Sequence, residues 1–332
     1  MTEELGAISA AIEAGESVRG TTSPNPPVGC ALVSASGALI ATGATSPAGG
    51  PHAEVNALRE AGERARGATA VVTLEPCNHT GRTGPCSQAL VEAGITRVVY
   101  FTADPNDAAA GGAEYLRAHG VEVDFQPVRI AALQPWLRSV RHNRPSVTLK
   151  FASTLDGFTA AADGSSKWVT GDTARELVHE DRAKLDAIIV GTGTAIADDP
   201  SLTARFPDGS LRGHQPRRVV VGRREVPEGN LTRLGFEQYA TPQEALTALW
   251  ATGARDVLVE GGATLAASFL EQDLVDAVQA YIAPALLGAG RGVLDRAIAG
   301  TIADARRFRT TFVRPVGGDV FIELERDVYG TR

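Results

Sequence analysis

The chain has 332 residues, of which 43% are hydrophobic and 21% charged, with a formal net charge of −7. That length suits two domains, because single cores stop growing well below it. The acidic balance gives no global attraction to phosphate polymers, so nucleic acid is not expected as a partner. No apolar run is long enough to cross a bilayer, so no membrane span is expected either.

The opening residues 1–20 are acidic and amphipathic, with no cationic start and no signal-like apolar core. The three cysteines, Cys30, Cys77 and Cys86, are too few and too odd for a disulfide framework. Both features predict a cytoplasmic protein. Leu5, Ile8 and Ile12 fall at helical spacing. Residues 28–34 and 38–42 predict a hairpin across Ala35-Ser36-Gly37. Then come a helix over 52–64, a buried strand over 70–74, a helix over 85–93 closed by Gly94, and a strand over 97–101. A helix over 112–119, closed by Gly120, and a strand over 121–125 complete the first half. This order predicts a three-layer α/β domain with helices on both faces of a sheet. Residues 133–146 are basic and contain two prolines, so they read as a linker or an inter-domain contact. The boundary is placed at Arg144, giving domains 1–144 and 145–332. The second half restarts with a strand over 147–152 and a helix over 173–184, with Asp172 as its N-cap. Buried strands follow at 187–191, 218–222 and 256–262, and helices at 242–251 and 263–272. Strands at 275–282, 310–313 and 319–324 end the pattern. This is a second α/β domain, and no repeat relates the halves.

The strongest chemical signal is His52-Ala53-Glu54, followed by Pro76-Cys77 and then Cys86. One imidazole and two thiolates supply three ligands for a catalytic zinc, one per chain, and leave a fourth position open for water. Zinc lowers the pKa of a bound water towards neutrality. Glu54, two residues after the ligand His52, is close enough to shuttle a proton without occupying the metal. An H-x-E followed by P-C is the pattern of zinc nucleobase deaminases, in which the glutamate is the acid/base. His52 and Cys86 each follow a proline at a predicted helix start, where partial positive charge favours thiolate. A closed structural site lacks a fourth cysteine, and His79 stands too near Cys77 in sequence to share a tetrahedron easily. Cys30, inside a strand, reads as core.

Longer strings extend this signal across the chain. They include residues 24–29 (PNPPVG), 75–86 (EPCNHTGRTGPC), 149–157 (LKFASTLDG) and 166–170 (SKWVT). Others are 191–194 (GTGT), 197–200 (ADDP), 202–205 (LTAR), 259–262 (VEGG) and 281–284 (YIAP). Together and in this order they resemble the bifunctional deaminase–reductase family of riboflavin biosynthesis. The resemblance implies a cytidine-deaminase-like three-layer domain followed by a dihydrofolate-reductase-like α/β domain. It implies a phosphorylated pyrimidine substrate, 2,5-diamino-6-(5-phosphoribosylamino)pyrimidin-4-one, and a homo-oligomer, dimer or larger. Asn25 and His79 are then expected at the pyrimidine edge. Their plain readings are a turn residue and a solvated loop.

No G-x-G-x-x-G follows a first strand in the second half, so an ordinary Rossmann domain is not expected. The glycine turn lies late, at Gly261-Gly262, where it opens a helix whose free N–H groups suit a phosphate. The resemblance places NADPH there, against Gly262, Ala263, Thr264, Leu265, Ala266, Ala267 and Ser268. It adds Ala152, Trp168, Thr194 and Asp198 to the cofactor side. It sets Lys150, Ser166, Arg182, Leu202, Arg205 and Glu260 against the ribosyl phosphate. A guanidinium fork suits phosphate, although a surface salt bridge is the commoner use of an arginine. Two departures from the family pattern stand out. Gly84 occupies a position where proline is common. Val221-Gly222-Arg223-Arg224 replaces a V-D-S turn, so that Arg223 or Arg224 is either a contact for the NADPH 2′-phosphate or a solvated basic turn. Rival readings are a deaminase of another base, or a zinc-stabilised scaffold without catalysis.

Overall fold

A computed structural model describes residues 2–79, 84–106, 110–167 and 169–326. The chain divides into two compact units, Met1–Asn143 and Arg144–Arg332.

The first unit runs α1 (Thr2–Ser17), β1 (Gly29–Val33), β2 (Leu39–Ala44), α2 (Ala53–Ala61), β3 (Thr69–Val72), α3 (Cys86–Glu92), β4 (Arg97–Tyr100), α4 (Gly112–Ala118), β5 (Glu122–Phe125) and α5 (Gln134–His142). The sheet order is β2-β1-β3-β4-β5. β1 is antiparallel to both β2 and β3, whereas β3, β4 and β5 are parallel. Every residue of β1 is buried, which requires cover on both faces. Two glycines show what covers them. A Cβ at Gly29 would lie 1.9 Å from the Ala11 carbonyl of α1, and one at Gly43 would lie 2.2 Å from the Ala53 carbonyl of α2. Gly43 pairs with Cys30, the neighbour of Gly29, so the two glycines point to opposite faces. α1 therefore seals one face and α2 the other, as the sequence predicts.

One prediction fails in this unit. The basic stretch after 133 is a helix, α5, and not a linker. Its Trp136 and Leu137 are buried in the same core as Ala7 and Ala11 of α1. Pro135 sits in the first turn, where a missing N–H costs nothing. The predicted helix over 52–64 stops at Ala61 because Gly62, at φ 56°, turns the chain into a short 3₁₀ segment, Gly62–Ala65.

The second unit begins with β6 (Ser146–Thr154), β7 (Phe158–Ala161), α6 (Asp172–Arg182), β8 (Ala187–Gly191), α7 (Thr192–Asp198), β9 (Arg217–Val221), α8 (Asn230–Leu234) and β10 (Glu237–Tyr239). It continues with α9 (Pro242–Ala251), β11 (Asp256–Val259), α10 (Ala263–Glu271), β12 (Ala277–Ala283), β13 (Gly290–Gly292), β14 (Phe308–Val316) and β15 (Asp319–Arg326). Eight strands form one sheet in the order β10-β9-β8-β11-β6-β12-β15-β14, and β13 pairs with β7 separately. The six strands from β10 to β12 are parallel; β15 and β14 add an antiparallel edge. β8 and β11 bury nearly every residue, all of them apolar or glycine except Asp256, as a parallel sheet covered on both faces demands. α6 starts at Asp172 with Gly171 as its cap, so Asp172 is the first helical residue and not the N-cap. α7 escaped the sequence reading because Thr-Gly-Thr carries poor helix propensity. Among the described residues no helix is long and apolar enough to cross a membrane.

Candidate active sites

In the first unit, three loops converge. His52 caps α2, Cys86 opens α3, and Cys77 lies on the loop after β3. That loop is sewn in place. The Glu75 carboxylate accepts the Ala113 amide at 3.2 Å, and the Asn78 Oδ1 accepts the Ser87 hydroxyl at 2.8 Å. Gly112 permits this closeness, because a Cβ there would stand 1.7 Å from the Pro76 carbonyl. As a result both sulfurs meet one imidazole nitrogen. Cys77 Sγ is 3.5 Å and Cys86 Sγ 3.3 Å from His52 Nδ1. All three ligand atoms lie within 4.8 Å of one another, so the donor set and its compactness fit a zinc ion.

The electrostatics separate the two sulfurs. A hydrogen bond from the Cys86 thiol, with another from His52, holds Cys77 down to about 4, well within the thiolate range. The same hydrogen bond to Cys77, with burial, pushes the Cys86 thiol up. His52 is raised by its bond to Cys77. Glu54 is 4% exposed; burial and the neighbouring Cys77 charge push its carboxyl up to about 7. Such a value suits a group that both takes and returns a proton near neutrality.

His79 is exposed and stands outside the three-residue cluster. Asn25 lies in a half-buried turn, its amide donating to Thr22 O and its carbonyl accepting the Thr22 hydroxyl. Sequence reasoning missed the residue that fixes this turn. The Trp136 indole N–H donates to the Pro24 carbonyl at 3.1 Å, across 112 positions. Cys30 is fully buried core.

In the second unit, Lys150, Arg182 and Glu260 come together from β6, α6 and the end of β11. Arg182 grips Glu260 with both prongs, Nε to Oε1 at 2.8 Å and Nη2 to Oε2 at 2.7 Å. Lys150 Nζ stands 3.9 Å from the same carboxylate and 5.5 Å from the Tyr281 ring centre. Burial pushes Glu260 up, but the Arg182 and Lys150 charges more than offset it and hold the carboxyl at about 2. Burial also lowers Lys150 below the ordinary lysine range. Arg182 Nη1 and His179 Nδ1 both meet the Thr203 carbonyl, and Arg205 Nε donates to the Thr203 hydroxyl at 2.7 Å. Leu202 adopts φ 49°, a strained value for a non-glycine, and this bend seats Thr203 and Arg205 beside Arg182.

The glycine turn fits a dinucleotide phosphate. α10 has no side-chain cap, and the amides of Leu265 and Ala266 turn back to Gly262 O. The free donors are therefore those of Ala263 and Thr264. A Cβ at Gly261 would come 2.6 Å from Leu265, so this backbone is bare by necessity. The Thr194 hydroxyl accepts the Gly262 amide at 3.1 Å, joining two expected cofactor residues. The side chains of Leu265, Ala266 and Ala267 are buried, and the Ser268 hydroxyl accepts from Gln272. Ala152 packs with Tyr281 and α6. Ser166 and Asp198 are exposed. Trp168 lies outside the described residues.

Residues 1–102 match the zinc-binding region of cytidine and deoxycytidylate deaminases, and residues 145–320 match the RibD C-terminal domain. The riboflavin biosynthesis protein RibD of Corynebacterium ammoniagenes is 59% identical over 307 residues, 90% of this chain and 91% of that protein. The chain belongs to the RibD family. The RibD of Mycobacterium tuberculosis is 46% identical over 96% of both chains. Among solved structures, Acinetobacter baumannii RibD superposes with a TM-score of 0.83 at 38% identity, covering 98% of this chain and 99% of that one. The deaminase/reductase of Thermotoga maritima gives 0.86 at 32% identity over the same shares. RibD membership makes the chain a bifunctional deaminase and reductase of riboflavin biosynthesis, with zinc and NADPH as its cofactors.

Proposed function

We propose that the domain of residues 1–144 deaminates 2,5-diamino-6-(5-phosphoribosylamino)pyrimidin-4-one, and that the domain of residues 145–332 reduces the ribosyl group of the product to ribityl. The meeting of His52 Nδ1 with the sulfurs of Cys77 and Cys86 beside a buried Glu54 carries this reading. Zinc held by these three atoms supplies the Lewis acidity that makes water nucleophilic near neutral pH. Glu54 takes that water's proton on its carboxylate. It gives that proton to the ring nitrogen, then takes a second proton from the added hydroxyl as the carbonyl forms and passes it to the departing amine, which leaves as ammonia. Asn25 and His79 hold the pyrimidine edge. Trp136 positions Asn25 through Pro24. Trp136→Phe is expected to raise the KM for deamination about fivefold with kcat nearly unchanged, the effect of one lost hydrogen bond. A kcat loss at unchanged KM would overturn that role.

NADPH supplies the hydride for C1′ of the opened sugar, with its phosphates at Gly262, Ala263 and Thr264. Ala152, Thr194, Asp198 and the α10 stretch through Ser268 form its side of the site. Lys150 polarises the sugar. Ser166, Leu202, Arg205 and Glu260 face the ribosyl phosphate portion, and Arg182 acts there from a place fixed by Glu260. The reading includes a cytoplasmic homo-oligomer, dimer or larger, and three unpaired cysteines suit a reducing compartment.

A coupled assay tests the whole. Ammonia release and NADPH oxidation are followed with the diaminopyrimidine phosphate before and after zinc is stripped by a chelator. Stripping should cut ammonia release at least about a hundredfold and leave reduction of pre-deaminated substrate intact. Ammonia release that survives complete zinc removal defeats the proposal.

A further inference from the structure

Lys150 is a largely buried ammonium whose hydrogen-bond donors are uncommitted. Its side chain is 17% exposed, and Glu260 Oε2 stands 3.9 Å from its Nζ, an ion pair too long for a hydrogen bond. Arg182 already takes both oxygens of that carboxylate. Among the described residues no hydrogen bond involves Lys150 Nζ. Its other contact is the face of Tyr281, whose ring centre lies 5.5 Å from Nζ.

Strand register makes this meeting. β12 runs parallel to β6, with Gln279 opposite Lys150 and Tyr281 opposite Ala152. Lys150 and Tyr281 therefore share one face of the sheet, a diagonal step apart, within reach of a long side chain and an aromatic ring. The ring is locked in place. Tyr281 is 1% exposed, pairs across the ladder with Phe321 at 4.9 Å between ring centres, and packs with Ala174, Leu177 and Val178 of α6. Its hydroxyl makes no hydrogen bond among the described residues. What Tyr281 presents to its neighbours is its ring.

Several groups bear on the lysine's charge. Burial and the Arg182 guanidinium of α6 oppose it, while Glu260 at the end of β11 and Asp181 of α6 favour it. The Tyr281 face on β12 favours it too, because the negative face of an aromatic ring attracts a cation. A ring supports the charge without supplying an oxygen or nitrogen acceptor, so Lys150 keeps N–H groups for the oxygens of a sugar. We propose that Tyr281 is a positioning residue of the reductase, whose ring holds Lys150 in place as an ammonium with its donors free for substrate. This rests on the reading in which Lys150 polarises the sugar.

The test is the pH profile of kcat/KM for reduction of pre-deaminated substrate at saturating NADPH, measured on the full chain as wild type, Tyr281→Phe, Tyr281→Leu and Lys150→Met. Wild type should lose activity at alkaline pH as Lys150 gives up its proton. The ring favours the charged form, so removing it lowers the pH at which that proton leaves. Tyr281→Leu should move the alkaline limb down by about one pH unit and cut kcat about tenfold. Tyr281→Phe, which keeps the ring, should restore the limb to its wild-type place. Damage to packing alone would scale the profile and leave the limb where it was. An unmoved limb in Tyr281→Leu, an equal shift in Tyr281→Phe, or a wild-type profile with no alkaline limb up to about pH 10.5 overturns the proposal. Lys150→Met should be inactive in reduction. If it still reduces substrate, the role of Lys150 fails and the proposal falls with it; if it is inactive while Tyr281→Leu shows no shift, the proposal alone falls.

Discussion

Glu54→Gln is expected to cut ammonia release by about 10²–10⁴-fold while the protein keeps one zinc per chain and full reductase activity. The substitution keeps the shape of the side chain and removes only its ability to exchange a proton. The three ligand atoms do not include Glu54, so the metal has no reason to leave. The stability of the first unit should not fall either. Glu54 is a buried carboxyl raised to about 7, mainly by desolvation, and a neutral amide lifts that burden. Activity and metal content must therefore part company. Zinc measured by atomic spectroscopy alongside ammonia release decides the matter. Turnover within about tenfold of wild type would refute the acid/base role. Loss of zinc together with activity would make Glu54 a holder of the site instead.

The chemistry of the deaminase was legible because its ligands sit in short strings. H-x-E and P-C place donor atoms within a few residues of each other, and only the joining of His52 to Cys77 and Cys86 required a fold. The buried parallel strands were legible for the same local reason, since they are short, mostly apolar runs such as residues 187–191 and 256–259, whereas the more exposed β7, β10 and β13 went unread. What stayed hidden depends on contacts distant in sequence. Trp136 reads as one aromatic in a basic stretch until its indole is seen on the Pro24 carbonyl. The resemblance places Arg182 and Glu260 against the ribosyl phosphate, but nothing local says that they bond to each other across 78 positions. The bend at Leu202 carries no glycine or asparagine to announce it. α5 was misread because charge and proline, which usually mark linkers, here decorate the solvent side and first turn of a helix whose tryptophan enters the core.

Glu260→Gln should destabilise the second unit by about 3–5 kcal/mol and abolish reduction, while deamination continues. The carboxylate pairs directly with both Lys150 and Arg182, and removing it leaves two largely buried cations facing each other. Gln can accept one hydrogen bond from Arg182 but cannot offset either charge. The pH dependence gives an independent check. Glu260 is held at about 2, below its ordinary value near 4.5, so folding favours its ionised form. Its contribution is therefore complete above about pH 4.5, fades as pH falls, and is gone below about pH 2, an amount on the order of 3 kcal/mol. Wild type and Glu260→Gln should differ most at neutral pH and converge in acid. The measurement is denaturant unfolding of both proteins across that range. Parallel curves that never converge would mean that the ion network contributes no pH-dependent stability, and that Glu260 serves the sugar alone. Convergence with reduction retained would mean the reverse: a carboxylate kept for the fold, with the chemistry left to Lys150.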